Sequence, residues 1–300
     1  MKKKTYLFAL MAMVLTLGSC SDNENGIGGE TSKYITVSTS IGNMTRVATD
    51  EKGGQTFEEG DEISVYAWTG APTVAPETSE RVVNNAINKL TNGSWISTPQ
   101  MLWKNNREKH YFIGVYPTAA ISDLSAGEYT FDANKQTESD LLVAVNPDGL
   151  SYSADAQQTV PLTFTHVMAK LAVNLTYKNQ WGGIPTVEKV VVGNAAKEAT
   201  INYLTKVVTP STTAKEDFSL PEITENTKYV SVIIPQEDVK QLTIVIGGKN
   251  FVYDNGTPFK LESGKITTVN LEVGRDEIKL GDVKITDWED GSTFSGEAIN

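Results

Sequence analysis

Short apolar runs recur along the chain from Tyr34 onward, separated by Gly, Pro, Asn and Asp. Several runs alternate strictly, with Leu171, Val173 and Leu175 on one side of an extended segment and polar or small residues on the other. A period of two is typical of half-buried strands. Helical periodicity is nearly absent, and its best candidate is the short stretch Ser79–Leu90. The pattern predicts an all-β protein built from two β-sandwiches.

One stretch interrupts the strand pattern near the middle of the chain. Residues 146–159 are polar and poor in apolar side chains, and a new series of strands begins after them. We therefore expect a domain boundary near residue 160, with an N-terminal domain over residues 33–160 and a C-terminal domain over residues 161–300. Further along, Asp254-Asn255-Gly256 separates two apolar runs, which predicts a hairpin turn.

The first twenty residues carry the most specific motif. Lys2, Lys3 and Lys4 precede an apolar run of about a dozen residues, too short to cross a bilayer, and the run ends in Leu17-Gly18-Ser19-Cys20. This arrangement predicts a lipoprotein signal peptide over residues 1–19 and lipidation of Cys20. The alternative is an ordinary secretory signal in which Cys20 is incidental. The polar, acidic, glycine-containing residues 20–32 are expected to form a flexible tether.

Charge and cysteine content narrow the classes of partner. The net charge is −11, and removing residues 1–19, which hold three lysines and no acidic residue, makes it −14. A chain this acidic is not expected to bind nucleic acid. Cys20 is the single cysteine, so no intramolecular disulfide is possible and stability must come from packing and hydrogen bonds.

The sequence holds no recognisable catalytic, cofactor-binding or metal-binding motif. Its two histidines, His110 and His166, lie at the ends of apolar β-patterns, without a Gly-x-Ser-x-Gly elbow or metal-ligand spacing, and are interpreted as structural. We therefore predict that the protein is not an enzyme and binds neither a cofactor nor a metal ion. Trp95 and Trp103 flank a turn-like stretch with Pro99, so they are candidates for an exposed carbohydrate platform. Core packing is the favoured interpretation for both indoles.

Several segments together carry a family resemblance. They are the lipobox ending at Cys20, Thr45-Arg46, Phe57–Tyr66, Tyr111–Pro117, Ser139–Ala144, Leu162–Leu171 and Ile285–Trp288. With these segments, which span nearly the whole chain, the sequence resembles the Bacteroidales fimbrillins, the lipoprotein-derived subunits of type V pili. The resemblance implies two tandem transthyretin-like β-sandwich domains. It also implies export as an outer-membrane lipoprotein at the cell surface and incorporation into a fimbria.

The resemblance further implies how such a subunit matures. An arginine-specific protease cuts after the first strand, and removal of that strand opens a groove that another subunit fills by β-strand addition. Here the expected cut lies between Arg46 and Val47, because Arg46 is the only arginine before Arg81 and follows the strand Tyr34–Ile41. In that strand Ile35, Val37 and, after a break in alternation, Ile41 are expected to face a core. The alternative is that Arg46 is an ordinary surface arginine.

The role of the subunit stays open at this level. After Trp288 only residues 289–300 remain, interrupted by Gly291 and Gly296, which is barely enough for a donor segment. An anchor subunit that keeps its lipid fits equally well. A second class of function is a non-polymerising surface lipoprotein or adhesin that binds a glycan or a host protein. A polysaccharide-degrading enzyme is the third and least supported class.

Overall fold

The computed structural model describes residues 33–42, 56–153, 158–254 and 256–288. The signal peptide, the tether, Cys20, Arg46 and Val47 lie outside these ranges. Almost all regular structure in the described residues is β-strand, with two single-turn 3-10 helices at Thr78–Glu80 and Asn179–Trp181. The predicted all-β class is confirmed.

Nineteen strands follow one another in the described residues. They are β1 (Thr36–Ile41), β2 (Glu62–Thr69), β3 (Val83–Thr91), β4 (Ser94–Thr98), β5 (His110–Tyr116), β6 (Gly127–Thr130), β7 (Leu142–Leu150), β8 (Thr159–His166), β9 (Ala169–Tyr177), β10 (Lys189–Ala196), β11 (Glu198–Asn202), β12 (Val207–Pro210), β13 (Lys215–Ser219), β14 (Glu222–Thr224), β15 (Lys228–Ile233), β16 (Gln241–Ile246), β17 (Lys249–Asp254), β18 (Lys265–Val273) and β19 (Ile278–Asp287).

The first eight strands, apart from β6, form one seven-stranded sheet in the order β1-β8-β7-β5-β2-β3-β4. All its pairs are antiparallel except β1 with β8, which is parallel. The edge strands β1 and β4 contact each other, so the sheet curls round the apolar side chains of one face. Those side chains form a separate core cluster, which we call the β1 core.

The remaining strands form three smaller sheets. Their orders are β13-β10-β16-β17, β12-β11-β6 and β14-β15-β9-β18-β19. A second, larger core cluster lies among them and also takes in side chains from the other face of the seven-stranded sheet, such as Tyr66 and Trp68. Strand β6 pairs with β11, so the two parts of the chain are joined by a strand pair as well as by packing.

The expected boundary at residue 160 falls inside β8. All partners of β8 belong to the seven-stranded sheet, so the whole strand to His166 is part of that sheet. The chain then passes directly into β9, which lies in the five-stranded sheet. The division of the chain into two domains stays a prediction, and the sheet topology favours a boundary just after His166 over one at residue 160.

Two local features of the structure differ from the sequence pattern, for identifiable reasons. The helical candidate Ser79–Leu90 is mostly strand β3, where a register shift beside β2 and a positive φ of 57° at Asn85 place Val83 and Ala86 at a helix-like spacing of three. The expected hairpin after β17 is also absent from the described residues, because Phe259 bonds back to Val239 instead of running along β17. The tight turn is at Gly247-Gly248, between β16 and β17.

A candidate site at the first strand

Strand β1 is held at the edge of the seven-stranded sheet by a regular ladder. Six residue pairs join it in parallel to β8, from Thr36 opposite Thr159 to Ile41 opposite Phe164. Just beyond β1, the backbone N–H of Gly42 donates to the carbonyl of Phe164 at 2.8 Å. Strand β8 pairs with β7 on one side, and among the described strands β1 alone pairs with its other side.

The inward face of β1 is apolar and buried. Ile35, Val37 and Ile41 are 2%, 6% and 8% exposed, and all three belong to the β1 core. Opposite them the floor of this core is built from residues of β2 and β8 with no exposed surface, including Phe164. Phe164 packs so close to Gly114 on β5 that a Cβ there would lie 2.6 Å from its ring. These contacts form a shaped, water-excluding groove for β1, lined by residues of β2 and β8, which we call the seat of β1.

Thr39 occupies the remaining inward position, between Val37 and Ile41. Its hydroxyl accepts a hydrogen bond of 3.0 Å from the indole Nε1–H of Trp95. The apparent break in the sequence alternation is therefore one of side-chain chemistry, since the backbone alternation continues through residue 39. A polar residue is accommodated here because a partly buried indole supplies the donor it needs.

The segment Met101–Trp103 closes the N-terminal end of β1 from the opposite side. The backbone N–H of Ile35 donates to the carbonyl of Met101 at 3.0 Å, and the N–H of Trp103 donates to the carbonyl of Lys33 at 3.2 Å. Tyr34 and Leu102 form an isolated antiparallel bridge between these two bonds. Strand β1 thus has backbone partners on both sides at its start and on one side further along.

The outward face of β1 is polar. The hydroxyl of Ser40 donates to that of Thr163 at 3.2 Å, and the hydroxyls of Thr36 and Thr159 are also 3.2 Å apart. Such exposed hydroxyl pairs contribute little stability by themselves. The hold on β1 therefore comes chiefly from its inward side chains and its backbone bonds.

An aromatic cluster closes the C-terminal end of the same core. The ring of Phe57 makes edge-to-face contacts with Trp95, Tyr116 and Phe164, with centroids 5.1 to 5.3 Å apart. Sequence analysis missed Phe57 as part of this site, although its position just before the acidic turn was a usable signal. Gly42 and Phe57 both contact Phe164, so the two ends of the connection through residues 43–56, which contains Arg46 and Val47, lie beside the same residue.

The two tryptophans singled out in the sequence lie in one core and do not form a shared exposed surface. Trp103 is 8% exposed and packs edge-on against His110 and Phe112. Trp95 is partly buried and is engaged by Thr39 and Phe57. Their placement argues against the candidate carbohydrate platform and agrees with core packing.

Both histidines have partners within the protein. The Nε2 atom of His110 accepts the backbone N–H of Lys104 at 3.1 Å, and burial lowers the pKa of this imidazole. The Nδ1 atom of His166 is 2.8 Å from a carboxylate oxygen of Asp140, and its ring stacks on Trp288 with centroids 4.0 Å apart. In the described residues, neither imidazole contacts both a serine hydroxyl and a carboxylate, as a catalytic triad would require.

The described residues hold neither a metal-binding cluster nor a membrane-spanning helix. No group of three or more His, Cys, Asp or Glu side chains is placed to hold a metal ion. No helix in these ranges has the length and apolar character needed to span a membrane.

Comparison with known proteins gives one family and one group of folds. A protein-family model described as fimbrillin-like matches residues 45–288. A putative cell adhesion protein from Bacteroides ovatus has a similar structure, with a TM-score of 0.62 and 18% identity over 85% of this chain and 98% of the other. A putative cell adhesion protein from Bacteroides uniformis has a TM-score of 0.59 and 18% identity over 86% of this chain and 100% of the other.

A third similar structure is the tip fimbrial protein Mfa3 from Porphyromonas gingivalis with a C-terminal truncation. Its TM-score is 0.50, with 12% identity over 77% of this chain and 95% of the other. At these identities the structural likeness concerns the fold. No curated protein sequence matches the chain.

Proposed function

Because this chain belongs to the fimbrillin-like family, we propose that it is a structural subunit of a cell-surface fimbria, assembled by donor-strand addition into the seat of β1. The observation that carries the proposal is the seat itself: an edge strand, with the residue just before it, buries three aliphatic side chains in a core, and among the described strands it pairs with β8 alone. The similarity to fimbrial and cell adhesion structures supports the same direction.

The first step in this proposal is export. Cys20, after cleavage of residues 1–19, receives the lipid that holds the precursor on the outer face of the outer membrane. Two or more acyl chains give stable anchoring, whereas one gives only marginal binding. Residues 20–32 then separate the lipid from the folded part that begins near Lys33.

The second step is cleavage between Arg46 and Val47. This bond lies C-terminal to β1 in the chain, so the cut separates β1 and the lipid covalently from the rest of the protein. It does not by itself remove β1. Burial of three aliphatic side chains stabilises the bound strand by about 5–9 kcal/mol on area grounds, an upper estimate. Loss of β1 therefore needs either thermal release or a competing strand.

The third step is replacement of β1 by an extended segment of another subunit. The vacated edge of β8 would present unpaired N–H and C=O groups above an apolar floor, which is a template for β-augmentation. The seat defines the sequence that suits it: aliphatic side chains at the positions of Ile35, Val37 and Ile41, and a hydrogen-bond acceptor at that of Thr39. Contacts of this head-to-tail kind do not close on themselves, so they build filaments.

The test is limited digestion of the mature chain from residue 21 with an arginine-specific protease, followed by intact mass spectrometry, gentle warming and electron microscopy. We expect one cut after Arg46, then ladders resistant to SDS or filaments. The Arg46→Lys variant should resist both cleavage and assembly. Arg107→Lys is the matched control, because Arg107 is an exposed loop arginine away from β1 and its replacement should change neither result.

A peptide experiment tests the seat separately from the protease. Cleaved protein, warmed to release β1, should bind a labelled peptide of residues 33–42 and should not bind the same peptide with Val37→Lys. Equal binding of both peptides would contradict a shaped apolar seat. A clean cut that leaves only monomers, with normal peptide binding, would instead indicate an anchor or accessory subunit that lacks a donor segment.

A further inference from the structure

Strand β19 forms the last edge of the five-stranded sheet, and among the described strands it pairs with β18 alone. Its side chains Leu280, Val283 and Ile285 are 38%, 38% and 41% exposed. They lie opposite Leu271, Val269 and Thr267, which are buried in the core face of β18. The three side chains form an apolar stripe on the core side of the sheet, beside a row of unpaired backbone groups.

A bulge in β19 sets which residues share each face. Gly281 and Asp282 together oppose Asn270, so Leu280 and Val283 fall on the same face although they are three residues apart. On the opposite face the amide of Asn270 donates to the Asp282 carboxylate at 2.6 Å. The ammonium of Lys284 lies 3.5 Å from the other oxygen of that carboxylate. The polar face thus carries an acid and, two positions later, a base.

This arrangement is complementary to itself. If a second β19 runs antiparallel along the free edge, with the two-fold axis at Val283, each Asp282 faces the Lys284 of the other copy. The bulge brings each Ile285 beside the other copy's Leu280, and the two Val283 side chains meet at the axis. Edge lysines oppose pairing with most strands, whereas a copy of this strand supplies a carboxylate for each lysine.

We propose that the free edge of β19 is a docking site for the β19 of a second copy of this chain. The contact is isologous and therefore closes as a pair. One strand edge buries less than about 1,200 Å², the size of weak and transient interfaces, so the pair should form only at high protein concentration. This contact goes beyond the proposed function: it needs no cleavage of the chain, and in an array of subunits it would join neighbours sideways.

The experiment is a charge exchange, read by sedimentation equilibrium over a concentration series with the mature chain from residue 21 and its Arg46 intact. Asp282→Lys and Lys284→Asp should each weaken self-association about tenfold, because each creates facing like charges. An equimolar mixture of the two variants should recover wild-type association, since every Lys then faces an Asp. Both side chains are exposed, and thermal unfolding followed by circular dichroism checks that each variant folds.

A second pair of variants tests the apolar stripe. Val283→Lys should abolish association by placing two ammonium groups at the axis. Val207→Lys, which changes an exposed valine on the edge strand β12 of another sheet, is the matched control and should associate normally. A monomer at every concentration would overturn the proposal, and so would a mixture of the charge variants that associates no better than either alone. Neither outcome bears on cleavage at Arg46 or on the seat of β1.

Discussion

Strands β1 and β19 lie at opposite ends of the described chain, and each forms an edge of a sheet, but they use their aliphatic side chains differently. Ile35, Val37 and Ile41 of β1 are buried, whereas the stripe on β19 keeps about two fifths of its surface exposed. The difference comes from what lies across from each strand. The curled sheet and the segment Met101–Trp103 enclose β1, whereas β19 is approached among the described strands only by its partner β18 and by β17, which leave its apolar stripe partly exposed.

This comparison separates two meanings of an edge strand. Removing β1 would expose the β1 core to water, so the stability of the seven-stranded sheet depends on β1 remaining bound. Removing a contact from β19 would expose little that is not already exposed. Stability measurements should therefore distinguish the two strands.

The largest effect should come from placing a charge in each strand. Val37→Lys buries an ammonium group in the β1 core and should lower the free energy of unfolding by about 3 kcal/mol or more. The matched variant Val283→Lys places the same charge at an exposed site and should change it by less than about 0.5 kcal/mol. Urea denaturation followed by circular dichroism measures both. Similar losses in the two variants would break the comparison.

A smaller effect should follow from loss of the hydrogen bond inside the seat. Thr39→Val keeps the shape of the side chain but removes the acceptor of the Trp95 indole, so unfolding should become easier by about 1 kcal/mol. A double-mutant cycle with Trp95→Phe isolates the pair, because the Thr39 change should cost much less once the indole donor is gone. Additive costs would show that the bond contributes nothing.

The smallest effect should be a dependence on pH on the β1 side of the molecule. Burial lowers the pKa of His110 in the folded state, so the unfolded chain binds more protons below its ordinary pKa of about 6.5. Stability should therefore fall as the pH drops from 7 through that value towards the lower folded pKa. Urea midpoints for the wild type and His110→Gln measure this, and the variant should show a flatter profile between pH 7 and 5.

Sequence patterning located the strands better than it located their partners. Alternation identified β9 and the inward residues of β1, because burial on one face imposes a period of two. At β3 the irregularity at Asn85 gives a strand a spacing of three, which explains why this stretch was the best helical candidate in a chain where helical periodicity is nearly absent. Patterning failed at the hairpin expected after β17, because the following segment bonds to a distant loop.

The candidate site was predictable in part. Ile35, Val37 and Ile41 were identified from the chain, but the segment that covers them was not. Met101 and Trp103 become neighbours of β1 only because the sheet curls until its two edges meet, and such long-range closure leaves no local signal. The same closure explains why Trp103 is a core residue, although its local sequence suits an exposed turn equally well.

The closeness of Gly42 and Phe57 to Phe164 gives the connection between them a further meaning. While the chain is intact, β1 is tethered to its own seat through the 14 residues between Gly42 and Phe57, and a covalent link this short corresponds to an effective concentration of about the millimolar range. A free strand in solution competes poorly against that. One cut in the connection ends the tethering. Which strand occupies the seat then depends on the concentrations of released β1 and of donor strands from other subunits. A single peptide bond thus determines whether the seat is filled by its own chain or is open to the strands of neighbouring subunits.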